Sequence, residues 1–246
     1  MMFQAADREL CIWLGDCIVQ AYEQFESGGV FEIPAGYRLV LQVAGQADLF
    51  PELMGYVIES ASQVVLVFRG TRTAGEWLKD LAFRQVPYPY LPAGRTHSGF
   101  TELYETVRDK IIQTIRLLPA WKQLLITGHS LGAALATLAA LDLAAHAGFF
   151  NLAMVNFGSP RVGDDQFATA YDRMVPRSYR ITNFFDPVPY VPPERAKLPF
   201  TQEEVVYQHV EQEILLWFPA GNVLQNHDLQ TYLQALRQGG TKQSGG

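Results

Sequence analysis

The sequence predicts an α/β fold: a mostly parallel central sheet flanked by helices. Three observations carry the prediction. Short continuous runs of β-branched and apolar residues, with 64–68 the clearest, suit strands buried on both faces. Longer segments between them repeat apolar residues at helical spacing, and strands alternating with helices build βαβ units. The chain has 246 residues, 48% of them hydrophobic and 18% charged, ample for a core and too apolar for a disordered chain.

The elements follow in order. Residues 3–25 read as a helix, with Leu10, Trp13, Leu14, Cys17, Ile18 and Ala21 on its apolar positions, stopped by Ser27-Gly28-Gly29. Cys11 and Cys17 lie six residues apart on that helix, on different faces and more than a turn apart, which predicts two buried thiols rather than a disulfide. Strand patterns follow at 37–43, 54–59 and 64–68, then a helix over 99–118 with apolar residues at 103, 104, 107, 111, 115 and 118. A strand at 124–127 leads into a helix over 130–146. A strand at 152–157 precedes a helix that opens at Asp164-Asp165, an N-cap pair, and runs through Tyr171. Residues 178–182 form another strand, 205–218 are β-rich, and 228–236 close the chain as a helix. No repeat, linker or composition break appears, so residues 1–238 are assigned to one domain and 239–246 to a flexible tail.

Composition excludes several classes of function. With 19 Lys and Arg against 25 Asp and Glu, the net charge is −6, which is no basic nucleic-acid footprint. The longest weakly polar run, 131–141, is too short to span a bilayer. Residues 1–7 have neither the basic nor the apolar region of a signal peptide, so localisation stays open between the cytoplasm and a secreted protein already processed. No cluster of His, Cys and Asp has metal-ligand spacing, and no cofactor is expected. Nothing in the sequence asks for more than a monomer.

Gly128-His129-Ser130-Leu131-Gly132 matches G-x-S-x-G, the nucleophile elbow. The pattern has a steric origin. The serine occupies a tight strand-to-helix turn in an unfavourable backbone conformation, and the residues two before and two after approach that turn closely, so they must be small. The turn lifts the hydroxyl out of the sheet and sets it at a helix N-terminus, where partial positive charge gathers. Here a buried strand precedes the motif, and Ala133, Ala134 and Ala136 let the following helix pack closely. A bare motif of this kind also arises by chance, and the alternative is a Gly-rich helix entry with an idle serine.

In elbow enzymes the acid and then the histidine follow the serine along the chain. Asp186 stands just past the strand at 178–182, before Pro187, at the carboxyl edge where α/β sheets build their sites. Asp164 and Asp165 are its rivals but serve better as a helix cap, and Asp172 falls inside that helix. Among five histidines, His129 belongs to the elbow and points away from the hydroxyl, while His97 and His146 precede the acid and have ordinary structural readings. His209 sits in an alternating strand pattern and so on a sheet face. His227 sits in a polar loop before the closing helix, from which its ring can reach the serine. His227 is the favoured base and His209 its rival.

Taken together, these residues resemble the class 3 lipases, the filamentous-fungus type of triacylglycerol lipase. The likeness is carried in order by Val67-Phe68-Arg69-Gly70-Thr71, by Glu76-Trp77-Leu78-Lys79-Asp80-Leu81, by His97-Ser98-Gly99-Phe100 and by the elbow through Ala133. It continues in Phe157-Gly158-Ser159-Pro160-Arg161-Val162-Gly163-Asp164, in 180–183 with Asp186-Pro187-Val188-Pro189, and in His227 five residues before Tyr232. The resemblance spans about 54–236 and implies an α/β-hydrolase fold, carboxylic ester hydrolysis and a triad of Ser130, Asp186 and His227. It also implies that His209 is structural. Fungal members are usually secreted and disulfide-bonded; this chain departs on both points and looks like a prokaryotic-type member.

An oxyanion needs two donors. The Leu131 backbone N–H, next after the nucleophile, is one. The resemblance places the second at Thr71, in the loop after the strand at 64–68, and on the same ground Asp80 would hold that loop. Turn chemistry offers the plainer reading of Thr71, a turn residue after Gly70. Thr73-Ala74-Gly75-Glu76 fits a capping box, and the helix it opens puts Trp77, Leu78, Leu81 and Ala82 on one face. Residues 86–92, with three prolines, read as stiff and extended. The segment about 73–92 is therefore a lid over the serine or a fixed surface helix with one buried face. The expected function is a serine ester hydrolase acting on acylglycerols at a lipid–water interface. The alternatives are a carboxylesterase of feruloyl or aryl type, a phospholipase A1 and, remotely, a catalytically silent lipid-binding protein.

Overall fold

The apolar runs become the inner strands of a seven-stranded sheet. A computed structural model of the chain describes residues 5–46, 51–71, 83–198, 203–210 and 212–239. In chain order the strands are β1 (Arg38–Gln46), β2 (Pro51–Glu59), β3 (Gln63–Phe68), β4 (Gln85–Pro87), β5 (Arg95–His97), β6 (Gln123–His129), β7 (Leu152–Phe157), β8 (Ser178–Asn183), β9 (Arg195–Lys197), β10 (Glu204–Val206) and β11 (Glu213–Leu216). The main sheet has the order β1-β2-β3-β6-β7-β8-β11. Its first three strands are antiparallel, and β3, β6, β7, β8 and β11 run parallel.

Side chains on the inner strands alternate between two cores. Val64, Leu66 and Phe68 of β3, with Leu124, Ile126 and Met154, face helices α2 (Ser98–Arg116), α3 (Leu131–His146) and α4 (Asp165–Met174). Val65, Val67, Leu125, Ala153, Val155 and Phe157 face the other way, against α1 (Ala5–Glu26) and the closing helix. A strand covered on both faces has no polar side, which is why these runs carry no alternation. The chain ends in a one-turn helix, α5 (Val223–His227), and then α6 (Leu229–Arg237). Cys11 and Cys17 are free and buried on α1, and burial pushes both thiols up to about 12, so they are inert packing groups. No helix among the described residues is long and apolar enough to cross a membrane.

Three local expectations are corrected. His209 stands on no strand: it lies between β10 and β11, where its Nε2 meets the Pro189 carbonyl at 2.6 Å. His227 ends α5 rather than sitting in a loop, because Asn222 and Gln225 form a reciprocal capping box that starts a helical turn. Residues 86–92 are not extended throughout. After β4 the chain turns at 89–92 and returns as β5, and Tyr88 is buried with its hydroxyl donating to the Leu138 carbonyl at 2.9 Å. The aromatic rings of that turn pack edge-on (Tyr88 on Phe167, Tyr90 on Tyr104), so this part of the lid segment is core wall. Trp77, Leu78, Leu81 and Asp80, with the capping box at 73–76, lie outside the described residues.

Candidate active site

The carboxyl ends of the parallel strands converge on one locus. Thr71 follows β3, Ser130 follows β6 and Asp186 follows β8, while His227 is carried there by α5. Ser130 has φ 57° and ψ −125°, a conformation that L residues avoid, and it is held by its N–H donating to the Phe157 carbonyl at 3.0 Å. The elbow's glycines are explained by contact. A Cβ on Gly128 would meet the Gly132 carbonyl oxygen at 2.2 Å, and one on Gly132 would meet the Arg69 carbonyl oxygen at 2.2 Å. Neither neighbour is a flexible side chain, so only glycine fits at both positions.

Ser130, His227 and Asp186 form a continuous hydrogen-bonded relay. His227 Nε2 lies 2.8 Å from Ser130 Oγ, and Nδ1 lies 2.7 Å from Asp186 Oδ2. With Nδ1–H given to the carboxylate, Nε2 is left as the acceptor for the serine hydroxyl. Asp186 is 0% exposed, and its desolvation is offset by two further donors. The Val188 N–H donates to Oδ1 at 2.9 Å and the Tyr232 hydroxyl to Oδ2 at 2.5 Å. Burial, and then the neighbouring carboxylate, raise the Tyr232 phenol well above its ordinary range, so it remains a donor.

Tyr232 lies on the closing helix, where nothing in the local sequence marks its hydroxyl for the relay. Gly158 stands beside the relay. It has φ +56°, and a Cβ there would lie 3.0 Å from Asp186 Oδ2 and 3.1 Å from His227 Cε1. Its signal was a glycine directly after a buried strand, which marks a close approach. Asp164 caps α4 through its bond from the Phe167 N–H at 2.8 Å, and Asp172 lies within that helix, so neither joins the relay. Asp165 opens the first turn of α4 and does not join it either.

Leu131 is the first residue of α3, and its N–H has no acceptor within the helix. The hydroxyl oxygen of Thr71 is buried with no hydrogen-bond partner among the described residues. Thr71 and His227 line the same cavity of about 400 Å³, together with Tyr22, His129 and Leu224. Arg69 holds the backbone just before Thr71. Its guanidinium donates to the Gly70 carbonyl at 2.6 Å and to the Leu53 carbonyl at 2.7 Å, pairs with Glu52 and covers the Phe25 ring.

The other histidines have structural partners. His146 sits 2.8 Å from Asp142, and His97 caps α2 and stacks on Phe100. Burial holds His129 and His209 well below the ordinary histidine value of 6.5, with the nearby His227 ring adding to the effect on His129 and the charge of Arg180 to that on His209. Both stay neutral in the folded chain, while the unfolded chain protonates them as pH drops below about 6.5. Stability is therefore intact above that pH and falls below it, by about 1.4 kcal/mol per pH unit for each group. Denaturant unfolding at pH 7.5, 6.0 and 5.0 should show His209→Gln losing less stability on acidification than the parent. Equal losses would mean that His209 is not neutral in the folded state.

Known proteins are similar to this chain. The family profile described as "Lipase (class 3)" covers residues 65–196. The chain is 30% identical to "Phospholipase A1 EG1, chloroplastic/mitochondrial" of Oryza sativa subsp. indica across 85% of its own length and 60% of that protein. It is 37% identical to a lipase of Rhizomucor miehei across 55% of its own length and 39% of that protein. It thus spans about half the length of these curated relatives. Among solved structures, lipase II from Rhizopus niveus has a TM-score of 0.71 at 23% identity, covering 91% of this chain and 84% of that one, a likeness of fold. The matched profile takes in more than half of the chain, including Thr71, the whole elbow and Asp186, and the chain belongs to the class 3 lipase family.

Proposed function

We propose that this chain is a serine ester hydrolase that cleaves acyl esters of glycerolipids. The observation that carries the reading is the relay itself, with His227 at 2.8 Å from Ser130 Oγ and 2.7 Å from Asp186. His227 takes the hydroxyl proton as Ser130 attacks the ester carbonyl. The carbonyl oxygen becomes an oxyanion facing the Leu131 N–H and Thr71. Asp186 keeps the His227 ring oriented and stabilises its cation. Protonated His227 then gives its proton to the departing alcohol, and water repeats the sequence on the acyl-enzyme.

The Thr71 hydroxyl, buried and without a partner among the described residues, supports its role as the second donor. Losing one oxyanion donor costs ~10²–10³ in rate. Thr71→Val should lower kcat on a soluble nitrophenyl ester by about 10²-fold, with Thr71→Ser close to the parent. Equal rates for all three would remove the hydroxyl from the site.

Membership of the class 3 lipases supports an acylglycerol substrate. A phospholipase A1 reading is favoured by one observation, the match to a protein of that name across 85% of this chain. A phosphonate that labels Ser130, followed by turnover of mono-, di- and triacylglycerol emulsions beside phosphatidylcholine vesicles, tests both readings. Fastest release from acylglycerols supports the lipase. Fastest release from the vesicles supports the phospholipase, and release only from small aryl esters would overturn both.

A further inference from the structure

We infer that His129 and Tyr22 are positioning residues that tie the segment carrying the base to the loop carrying the oxyanion donor. The inference rests on the proposed roles of Ser130, His227 and Thr71. His129 is buried, and both of its ring nitrogens are engaged: Nε2 lies 2.8 Å from the His227 carbonyl and Nδ1 lies 2.7 Å from the Tyr22 hydroxyl. The Tyr22 oxygen in turn receives the Gly70 N–H at 3.0 Å.

The direction of every bond in this chain is fixed by chemistry. A carbonyl has no proton to give, so His129 must carry its proton on Nε2. Burial keeps the imidazole neutral, so Nδ1 is an acceptor. Tyr22 must then donate to Nδ1, and its phenol remains protonated because burial raises it. The Gly70 N–H completes the series by donating to the Tyr22 oxygen. The order is Gly70 N–H to Tyr22 O–H to His129 Nδ1, then Nε2–H to the His227 carbonyl.

Each end of this series is one step from the reacting groups. Gly70 is bonded in the chain to Thr71, and the His227 carbonyl belongs to the residue whose ring takes the serine proton. The His129 and His227 rings lie side by side, 4.8 Å between centroids and tilted by 30°, so their spacing is set directly. Tyr22 comes from α1, which covers the opposite face of the sheet from α3. One half-buried tyrosine and one buried elbow histidine thus hold together a strand end, a helix and the α5 turn.

The test has a spectroscopic arm and a kinetic arm. Nitrogen-15 NMR of the histidine rings should show His129 as the Nε2–H tautomer with a slowly exchanging ring proton, and that proton should shift in Tyr22→Phe. The Nδ1–H tautomer would overturn the inference whether or not the protein hydrolyses esters. On a soluble nitrophenyl ester, Tyr22→Phe should lower kcat about tenfold with KM unchanged. His129→Gln, which keeps one donor and one acceptor, should retain more kcat than His129→Leu. In a Thr71→Val background the Tyr22→Phe loss should shrink, because the hydroxyl it positions is gone. Losses that multiply independently, or a kcat unchanged by Tyr22→Phe in an active parent, would overturn the inference while leaving the proposed function in place. A parent that releases no ester would instead defeat the proposed function.

Discussion

Ser130→Ala is expected to lower ester turnover by roughly 10⁶-fold, because removing the nucleophile of a triad costs about as much as removing the whole triad. The fold should survive. Ser130 is 1% exposed and its side-chain contact is to His227, so alanine removes one oxygen and adds no volume. The left-handed φ of 57° is imposed by the turn and is borne by alanine much as by serine. The thermal midpoint should therefore stay near that of the parent. His227→Ala should fall by a comparable factor, since an unassisted serine hydroxyl is a weak nucleophile. His209→Ala should keep its turnover, because its ring meets the Pro189 carbonyl rather than the relay. Turnover within tenfold of the parent in Ser130→Ala would remove the serine from the chemistry.

These residues were legible in the sequence for steric and topological reasons. Gly128 and Gly132 are dictated by backbone contacts inside one short motif, so the motif carries its own structure. Asp186 is legible because it follows a buried strand, β8, at the functional edge of the sheet and stands directly before Pro187, which opens a short helical turn. His227 is legible by its order in the chain, although the structure places it on a helical turn rather than in a loop. The signal was there, since Asn222 and Gln225 have the spacing of a capping box. Tyr22 and Tyr232 carry no such local signal. Each lies on a helix among apolar neighbours, where an aromatic residue fills core, and the use of its hydroxyl depends on which distant segment packs there. That Gly70 and His129 meet Tyr22, or that Asp186 meets Tyr232, is a property of the assembled sheet and its covering helices. His209 was misplaced for a related reason: alternation over a few residues predicts a strand only when a neighbouring strand is available to pair with it.

Asp186→Asn separates orientation from mere occupancy, and its expected effect is a loss of about 10⁴-fold in kcat, the cost of a misoriented base in a serine triad. All three groups facing the Asp186 carboxylate are donors: the His227 Nδ1–H, the Tyr232 hydroxyl and the Val188 N–H. An amide has one oxygen and one NH₂ group in place of two acceptors. With the NH₂ toward His227, Nδ1 must become the acceptor, Nε2 takes the proton, and the ring presents N–H to Ser130 instead of a lone pair. With the NH₂ toward Val188, two N–H groups face each other in a site that is 0% exposed, at a cost of about 1–3 kcal/mol for the unsatisfied pair. The first orientation abolishes the base and the second destabilises the turn after β8. Tyr232→Phe, which removes one donor and leaves both carboxylate oxygens, should cost only about tenfold. Measuring kcat and thermal midpoint for both variants distinguishes the cases. A large kcat loss with a near-parental midpoint identifies the reversed imidazole. A falling midpoint identifies the donor clash at Val188. An asparagine variant as active as Tyr232→Phe would mean that Asp186 does not orient the base.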